Sequence, residues 1–245
     1  MSPIPEPPAA AERILAAARE KALLLRLMGG VAVYLRCPSI RGAGRAYRDL
    51  DFVAASGLGR RIEALFSSLG YLADKTFNKL NGADRLMFWD DASGQRVDVL
   101  IDRLTMSHEI DLRRRLECDE RTLSLADLLL SKLQIHQISD RDLLDIAALL
   151  ADHSLAEDDA GGINVLYLTT LCADDWGLFR TCQINLERLC QFDASALSRA
   201  PHDPCQQSTE LLRRLEGAPK SLKWKARAAI GERVQWYKVP EEVGR

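Results

Sequence analysis

Three aspartates stand where strand patterns leave little room for casual charge. Asp49 and Asp51 sit two residues apart in the stretch DLDFVA. Side chains alternate across a strand, so both carboxylates project from one face while Leu50 and Phe52 project from the other, into a core. Asp98 lies between Val97 and Val99, where an acid is equally unexpected. If the two strands are neighbours, three carboxylates converge on one patch. Acids so placed repel one another unless a cation neutralises them, and a hard divalent cation, Mg²⁺ or Mn²⁺, takes oxygen ligands of this kind. Asp102, on the same face of the second strand, is a weaker rival for the third acid. A lone D-x-D is ordinarily a surface feature, and a lone strand aspartate ordinarily guards an edge. The chemistry therefore rests on a combination. Gly29-Gly30 ends the apolar run ALLLRLM and opens a helix. Amide groups at a helix start bind phosphate, and glycine permits its close approach.

A cation is also out of place. Leu125, Leu128, Leu129, Lys132, Leu133 and His136 share one face of a predicted helix from Ser124. A lysine in such a stripe must snorkel, pair with an acid or meet an anion, and the functional reading has Lys132 reaching a triphosphate. His136 on the same stripe reads as a satisfied core histidine. Ser139 caps the next helix, where Asp142 suits the helix dipole and Asp145 lies one turn on.

The elements that must hold these residues follow from periodicity and punctuation. Residues 10–21 read as a helix, 22–28 as a buried strand stopping at Gly29-Gly30, and 31–35 as a helix start. Residues 37–47, with Pro38, Gly42 and Gly44, read as a loop. Residues 50–54 form a strand, and 59–69 an amphipathic helix closed by Gly70. Residues 71–80 and 84–90 read as a hairpin around Asn81-Gly82, followed by a strand over 96–101. From about Ser124 the pattern is helical to the end, with Asp174–Leu178 as a turn-like insert whose Trp176 either packs or stacks on a base. The fold class expected is α+β: a mixed sheet with flanking helices over 1–115, then an all-α region over 116–245.

Composition is that of an ordinary globular protein, 47% hydrophobic and 28% charged, with net charge -2. No repeat, signal peptide or bilayer-length apolar run is legible, so the expectation is a cytoplasmic protein without a membrane segment. The six cysteines, none in a C-x-x-C pair, read as reduced thiols. Residues 211–245 carry nine Lys/Arg against four Asp/Glu, with Trp224, Trp236 and Tyr237 interspersed. That stretch reads either as a solvated helix face over buried aromatics or as a nucleic-acid contact, and it tilts the choice of partner toward RNA.

In order, the features are strand, Gly-Gly, helix, loop, D-x-D strand, then a strand with a single Asp. This resembles the nucleotidyltransferase superfamily with the polymerase-β type catalytic fold. The matching stretches are Met28-Gly29-Gly30, Asp49-Leu50-Asp51 and Val97-Asp98-Val99. A closer resemblance is to the bacterial branch of abortive-infection toxin-like nucleotidyltransferases. Arg45-Ala46-Tyr47-Arg48-Asp49-Leu50-Asp51 keeps that branch's Arg and both acids, with Tyr47 in place of its Ser/Thr. LLLSKLQ and RDLLDI look like its Lys and Asp helices. The eighteen residues between Gly30 and Asp49 exceed the family's usual spacing. The resemblance covers about residues 22–150. It implies transfer of a nucleoside monophosphate from an NTP to an acceptor hydroxyl, on RNA, a protein or a small molecule. It implies metal on Asp49, Asp51 and Asp98, nucleotide contacts from Gly29, Gly30, Arg45 and Lys132, and support from Asp142 or Asp145. An antitoxin protein is the implied regulatory partner. A catalytically idle protein of the same fold, working as a binding or regulatory partner, is the alternative.

Overall fold

The computed structural model describes residues 7–44, 46–47, 49–91 and 93–239. The chain divides into two compact units. One takes the described residues of 1–36, 45–104 and 110–124, and the other those of 37–44, 105–109 and 125–245.

The first unit is built on a five-stranded mixed sheet. Helix α1 (Pro7–Glu20) leads into β1 (Leu25–Met28), and α2 (Gly29–Arg36) follows without a gap. Then come β2 (Asp49–Ala54), α3 (Gly59–Ser68), β3 (Tyr71–Ala73), α4 (Lys75–Asn81), β4 (Arg85–Asp90) and β5 (Arg96–Ile101). The strand order is β1-β2-β5-β4-β3. Only β2 and β5 are parallel; the other neighbours run antiparallel. Alternation gives the sheet one wholly apolar face. Leu25, Leu27, Leu50, Phe52, Ala54, Leu86, Phe88, Val97 and Val99 are all buried, as are Ile14, Val31, Ile62, Leu65 and Phe66 of the helices. Phe66 stacks on Phe88 with ring centroids 4.3 Å apart and meets Phe52 edge-on. Burying each such side chain contributes about 1.5–3 kcal/mol, so this face dominates the unit's stability. The outer edge of β1 is not left open: Leu27 N–H donates to Arg121 O, and Leu123 N–H donates to Leu27 O. A covered edge cannot template pairing with another chain.

The hairpin expected around Asn81-Gly82 is not formed in that way. Strands β3 and β4 do pair, but α4 fills the connection. Asp74 caps it by accepting from Phe77 N–H, and the Asn78 amide side chain makes both a donor and an acceptor bond with the Met87 backbone. That side chain occupies the backbone groups a strand over 75–80 would have used. Gly82 is right-handed, φ -64°, rather than in the left-handed conformation a tight N-G turn demands. Two short strands, β6 (Arg103–Thr105) and β7 (Glu109–Asp111), form a separate small sheet.

The second unit is helical: α5 (Leu125–Leu133), α6 (Asp140–Asp152), α7 (Val165–Asp174), α8 (Trp176–Leu189), α9 (Pro204–Gly217) and α10 (Leu222–Ile230). A short parallel pair, β8 (Leu155–Ala156) with β9 (Ile163–Asn164), precedes α7. From α6 onward each helix opens on a capping side chain: Ser139, Asn164, Asp175, Asp203 and Ser221 each accept from an amide three residues on. Each such cap is worth about 1 kcal/mol. The loop expected over 37–47 holds a 3₁₀ turn, Pro38–Gly42, and its residues 37–44 belong to this unit. Both the amide and the hydroxyl of Ser39 donate to Asp152 Oδ2, and Ser39 O accepts from Ser198 N–H.

Two further expectations are corrected. Helix α5 stops at Leu133, so His136 lies beyond it. Cys190 and Cys205 form a disulfide joining the end of α8 to the start of α9, whereas Cys37, Cys118, Cys172 and Cys182 are thiols. The spacing of these two carried no motif, and their meeting is set by the return of the chain. Among the described residues no helix is long and apolar enough to cross a membrane.

Candidate active site

The sheet's second face carries the acids. Asp51 is in register with Asp98 across the parallel pair β2–β5, and Asp49 with Arg96. On the outer sides Met28 is opposite Asp51 and Met87 opposite Asp98. The row Met28–Asp51–Asp98–Met87 therefore crosses four strands on one face, with the two acids one strand spacing, about 4.8 Å, apart. Asp49 is exposed, Asp51 half-buried and Asp98 buried.

Gly29 follows Met28 directly and fixes the position of Asp51. Its φ is +70°, and a Cβ built there would lie 2.4 Å from Asp51 Oδ2. The carboxylate thus packs against the bare Cα of the turn at the first residue of α2. The amides that open a helix have no partner within it. Gly29 thus sets the start of α2 against Asp51.

Asp98 has company the sequence reading did not foresee. Arg85 reaches Oδ1 with Nε at 2.8 Å and with its terminal nitrogen at 2.7 Å. Arg96 reaches Oδ2 with Nε at 2.7 Å and Oδ1 with its terminal nitrogen at 3.3 Å. Each guanidinium also lies against an aromatic ring: Arg85 is 5.9 Å from the Phe77 centroid and Arg96 is 5.9 Å from that of Trp89. Charge-assisted pairs of this geometry are roughly twice as strong as neutral hydrogen bonds. The i, i+2 spacing of Arg96 and Asp98 was a readable signal, since both fall on one face. Arg85 needed the β4–β5 register.

This bears on a divalent cation. Asp49 and Asp51 present carboxylates on one face beside the helix start and fit such an ion. Asp98 is turned to two guanidiniums. Among the described residues no three His, Cys, Asp or Glu side chains gather to hold a metal. The expected convergence of all three acids on one cation is thus not what these side chains show. Asp102, the rival acid, has φ +60° and accepts from Ser56 N–H, so it caps a turn. Arg45 lies outside the described residues.

In the second unit Lys132 is nearly buried, and its Nζ sits 2.7 Å from Asp142 Oδ1 and 3.0 Å from Asp145 Oδ2. Both acids singled out in the sequence meet this one lysine. Burial alone would raise the Asp142 carboxyl, but Lys132 and hydrogen bonds from Ser139 outweigh it and hold the group below its ordinary value. His136 stacks on Tyr237 with centroids 3.6 Å apart and meets Trp236 edge-on. Trp236 Nε1 donates to Thr181 Oγ1, and Trp176 packs against Trp236 and under Arg227. Trp224 meets Phe179. The aromatics of the basic stretch are thus engaged in packing.

No family model and no curated protein matches the chain. Among the solved structures similar to it are two. One is the solution structure of the antibiotic-resistance factor ANT(2'')-Ia, at 17% identity and TM-score 0.35, over 51% of this chain and 69% of that one. The other is the STING-associated c-di-GMP synthase CdnE from Capnocytophaga granulosa, at 13% identity and TM-score 0.29, over 90% of this chain and 80% of that one. Values this low carry no residue role across. The order strand, Gly-Gly helix, D-x-D strand and single-acid strand stands on the chain's own sheet.

Proposed function

We propose that the chain transfers a nucleoside monophosphate from an NTP to an acceptor hydroxyl and releases pyrophosphate. A bond forms between the acceptor oxygen and the α-phosphorus, the α–β phosphoanhydride bond breaks with its electron pair leaving on pyrophosphate, and the acceptor gives up its proton to solvent water. The observation that carries this reading is the packing of Asp51 against Gly29, with Asp49 beside it on the same face. Acids and helix-start amides meet at one spot, which suits a metal-bound polyphosphate better than either feature alone.

Asp49 and Asp51 would hold the divalent cation, Mg²⁺ or Mn²⁺, whose contribution is to neutralise charge on the triphosphate. The Gly29 and Gly30 amides donate to phosphate oxygens. Asp98 stays ion-paired to Arg85 and Arg96 and fixes those guanidiniums on the site face, in place of the metal-sharing role the resemblance implied. Such chemistry is largely positioning and charge neutralisation. In the second unit Asp142 and Asp145 orient Lys132, which keeps its assignment as a phosphate ligand on the strength of the resemblance.

The pairing of Asp98 favours one second reading, a protein that binds Mg²⁺-NTP without turning it over. Incubation with each labelled NTP, Mg²⁺ and total cellular RNA or lysate separates the two: a labelled species supports transfer, and nucleotide binding without any label supports the idle protein. Loss of label in an Asp49→Ala/Asp51→Ala variant is expected. A double variant that labels as well as the parent removes the site assignment.

A further inference from the structure

The row beside the acids is exposed and of a different character. Register places Asp49 opposite Arg96, Arg96 opposite Trp89, and Trp89 opposite Leu72, so these four side chains cross the same face from β2 to the edge strand β3. Trp89 is 38% exposed and Leu72 56%, although both are large and apolar. Arg96 lies against the Trp89 ring and ties it to the clamp on Asp98. Two guanidiniums share the one Asp98 carboxylate. Each guanidinium has five N–H donors and spends two contacts on Asp98.

We propose that this row is the acceptor platform, and that the acceptor is the 3′ end of a single-stranded nucleic acid. The inference rests on the transferase reading of the same face and names its substrate class. An exposed indole beside an arginine is a stacking surface for a base, and stacking tolerates any base because each has a π face. The remaining N–H donors of Arg85 and Arg96 meet backbone phosphate, for which the planar guanidinium is well shaped. Trp89 is two strands from Asp49, roughly 10 Å at the usual strand spacing. A sugar attached to, or next to, a base lying on Trp89 can therefore present its hydroxyl at the acids. A protein acceptor would need no π surface.

The test is binding of a fluorescently labelled single-stranded oligoribonucleotide to the full chain by anisotropy, without NTP, across a salt series. Base–aromatic stacking is strong enough that Trp89→Ala should weaken binding about ten-fold or more, while Trp89→Phe, which keeps a ring, should retain most of it. Arg85→Gln should flatten the dependence of log affinity on log salt by about one unit, the share of one phosphate contact. Trp89 is partly in solvent, and unchanged thermal melting of Trp89→Phe guards against a folding artefact. Equal binding by the parent and Trp89→Ala overturns the proposal. So does transfer of label by the parent to a protein or small molecule but to no oligonucleotide. The Asp49→Ala/Asp51→Ala variant separates the two readings: it should still bind oligonucleotide but not label it. If Trp89-dependent binding is intact and the parent never transfers label, the platform stands and the transferase reading fails.

Discussion

Gly29→Ala is the sharpest single test of how the acid site is built. Two costs fall on one atom. Gly29 has φ +70°, and a non-glycine residue in the left-handed region costs about 1–2 kcal/mol. The new Cβ would also lie 2.4 Å from Asp51 Oδ2, inside the 3.0 Å that real contacts of this kind respect, so the carboxylate or the turn must yield by about 0.6 Å. A displacement near 1 Å at a reacting centre can cost about 10²-fold in rate, so a ten- to hundred-fold loss of transfer is expected. The backbone term alone should lower the midpoint of thermal unfolding by about 3–8 °C. Gly59→Ala is the control. Gly59 opens α3 with no positive φ, and its added Cβ meets nothing within 4 Å, so stability should stay within about 0.5 kcal/mol of the parent. Calorimetry gives the first number, and titration of Mg²⁺-NTP with labelled transfer gives the second. If Gly29→Ala unfolds and turns over like Gly59→Ala, the packing of Asp51 on the turn is not what places the acid. If it is destabilised yet binds Mg²⁺-NTP with parental affinity, the strain is real but Asp51 is not a ligand.

Four further outcomes follow from the same geometry. Asp98→Asn strands Arg85 and Arg96 without their carboxylate; because both are partly solvated, the loss in urea denaturation should fall below the roughly 3–5 kcal/mol of a fully buried broken pair, and no loss at all refutes the clamp. The depressed Asp142 carboxyl contributes stability that is fully present above its ordinary value of 3.8 and is lost as pH falls through the folded value; Lys132→Met should remove this acid-limb dependence, and an unchanged limb would disprove the pairing. Burial, only partly countered by Asp175, lowers the His108 pKa from 6.5, so its contribution is complete above that pH and declines below it; Trp236 shares Thr181 Oγ1 with His108, and its fluorescence should report a loosening on acidification that His108→Gln abolishes. Replacing Cys190 and Cys205 by serine opens a crosslink spanning 15 residues, worth up to about 3 kcal/mol, and a reductant should move the parent's denaturation midpoint the same way; indifference to reductant means no crosslink forms.

The legible parts of this molecule are the local ones. The alternation of Asp49-Leu50-Asp51, the stop at Gly29-Gly30 and the cap at Ser139 each depend on a few neighbouring residues, and the structure shows all three. Lys132 was legible as a charge in need of a partner, though not as one shared by Asp142 and Asp145. Asn81-Gly82 misled because turn chemistry competes with tertiary bonding: the Asn78 side chain claims the Met87 backbone that a hairpin strand would have used. Arg85 and Trp89 were silent because their meaning lies in register with β5, and no pattern within β4 reveals which residue stands opposite. The basic stretch near the end read first as a solvated face over buried aromatics and second as a contact surface, and its aromatics settle on His136, Trp176, Thr181 and Phe179.

The Ser39–Asp152 attachment sets a timetable for synthesis. The partners are 113 residues apart, and at about 5–20 residues per second the ribosome delivers Asp152 roughly 6–23 s after Ser39. Ser198, which donates to Ser39 O, arrives later still. Through that interval the segment between α2 and β2 belongs to a unit whose helices do not yet exist. A nascent chain must therefore carry it as a waiting tether while β1 and β2 find each other. Splitting the gene at residue 115 would strand this segment on the wrong fragment, whereas co-expressed halves could still be reunited by it.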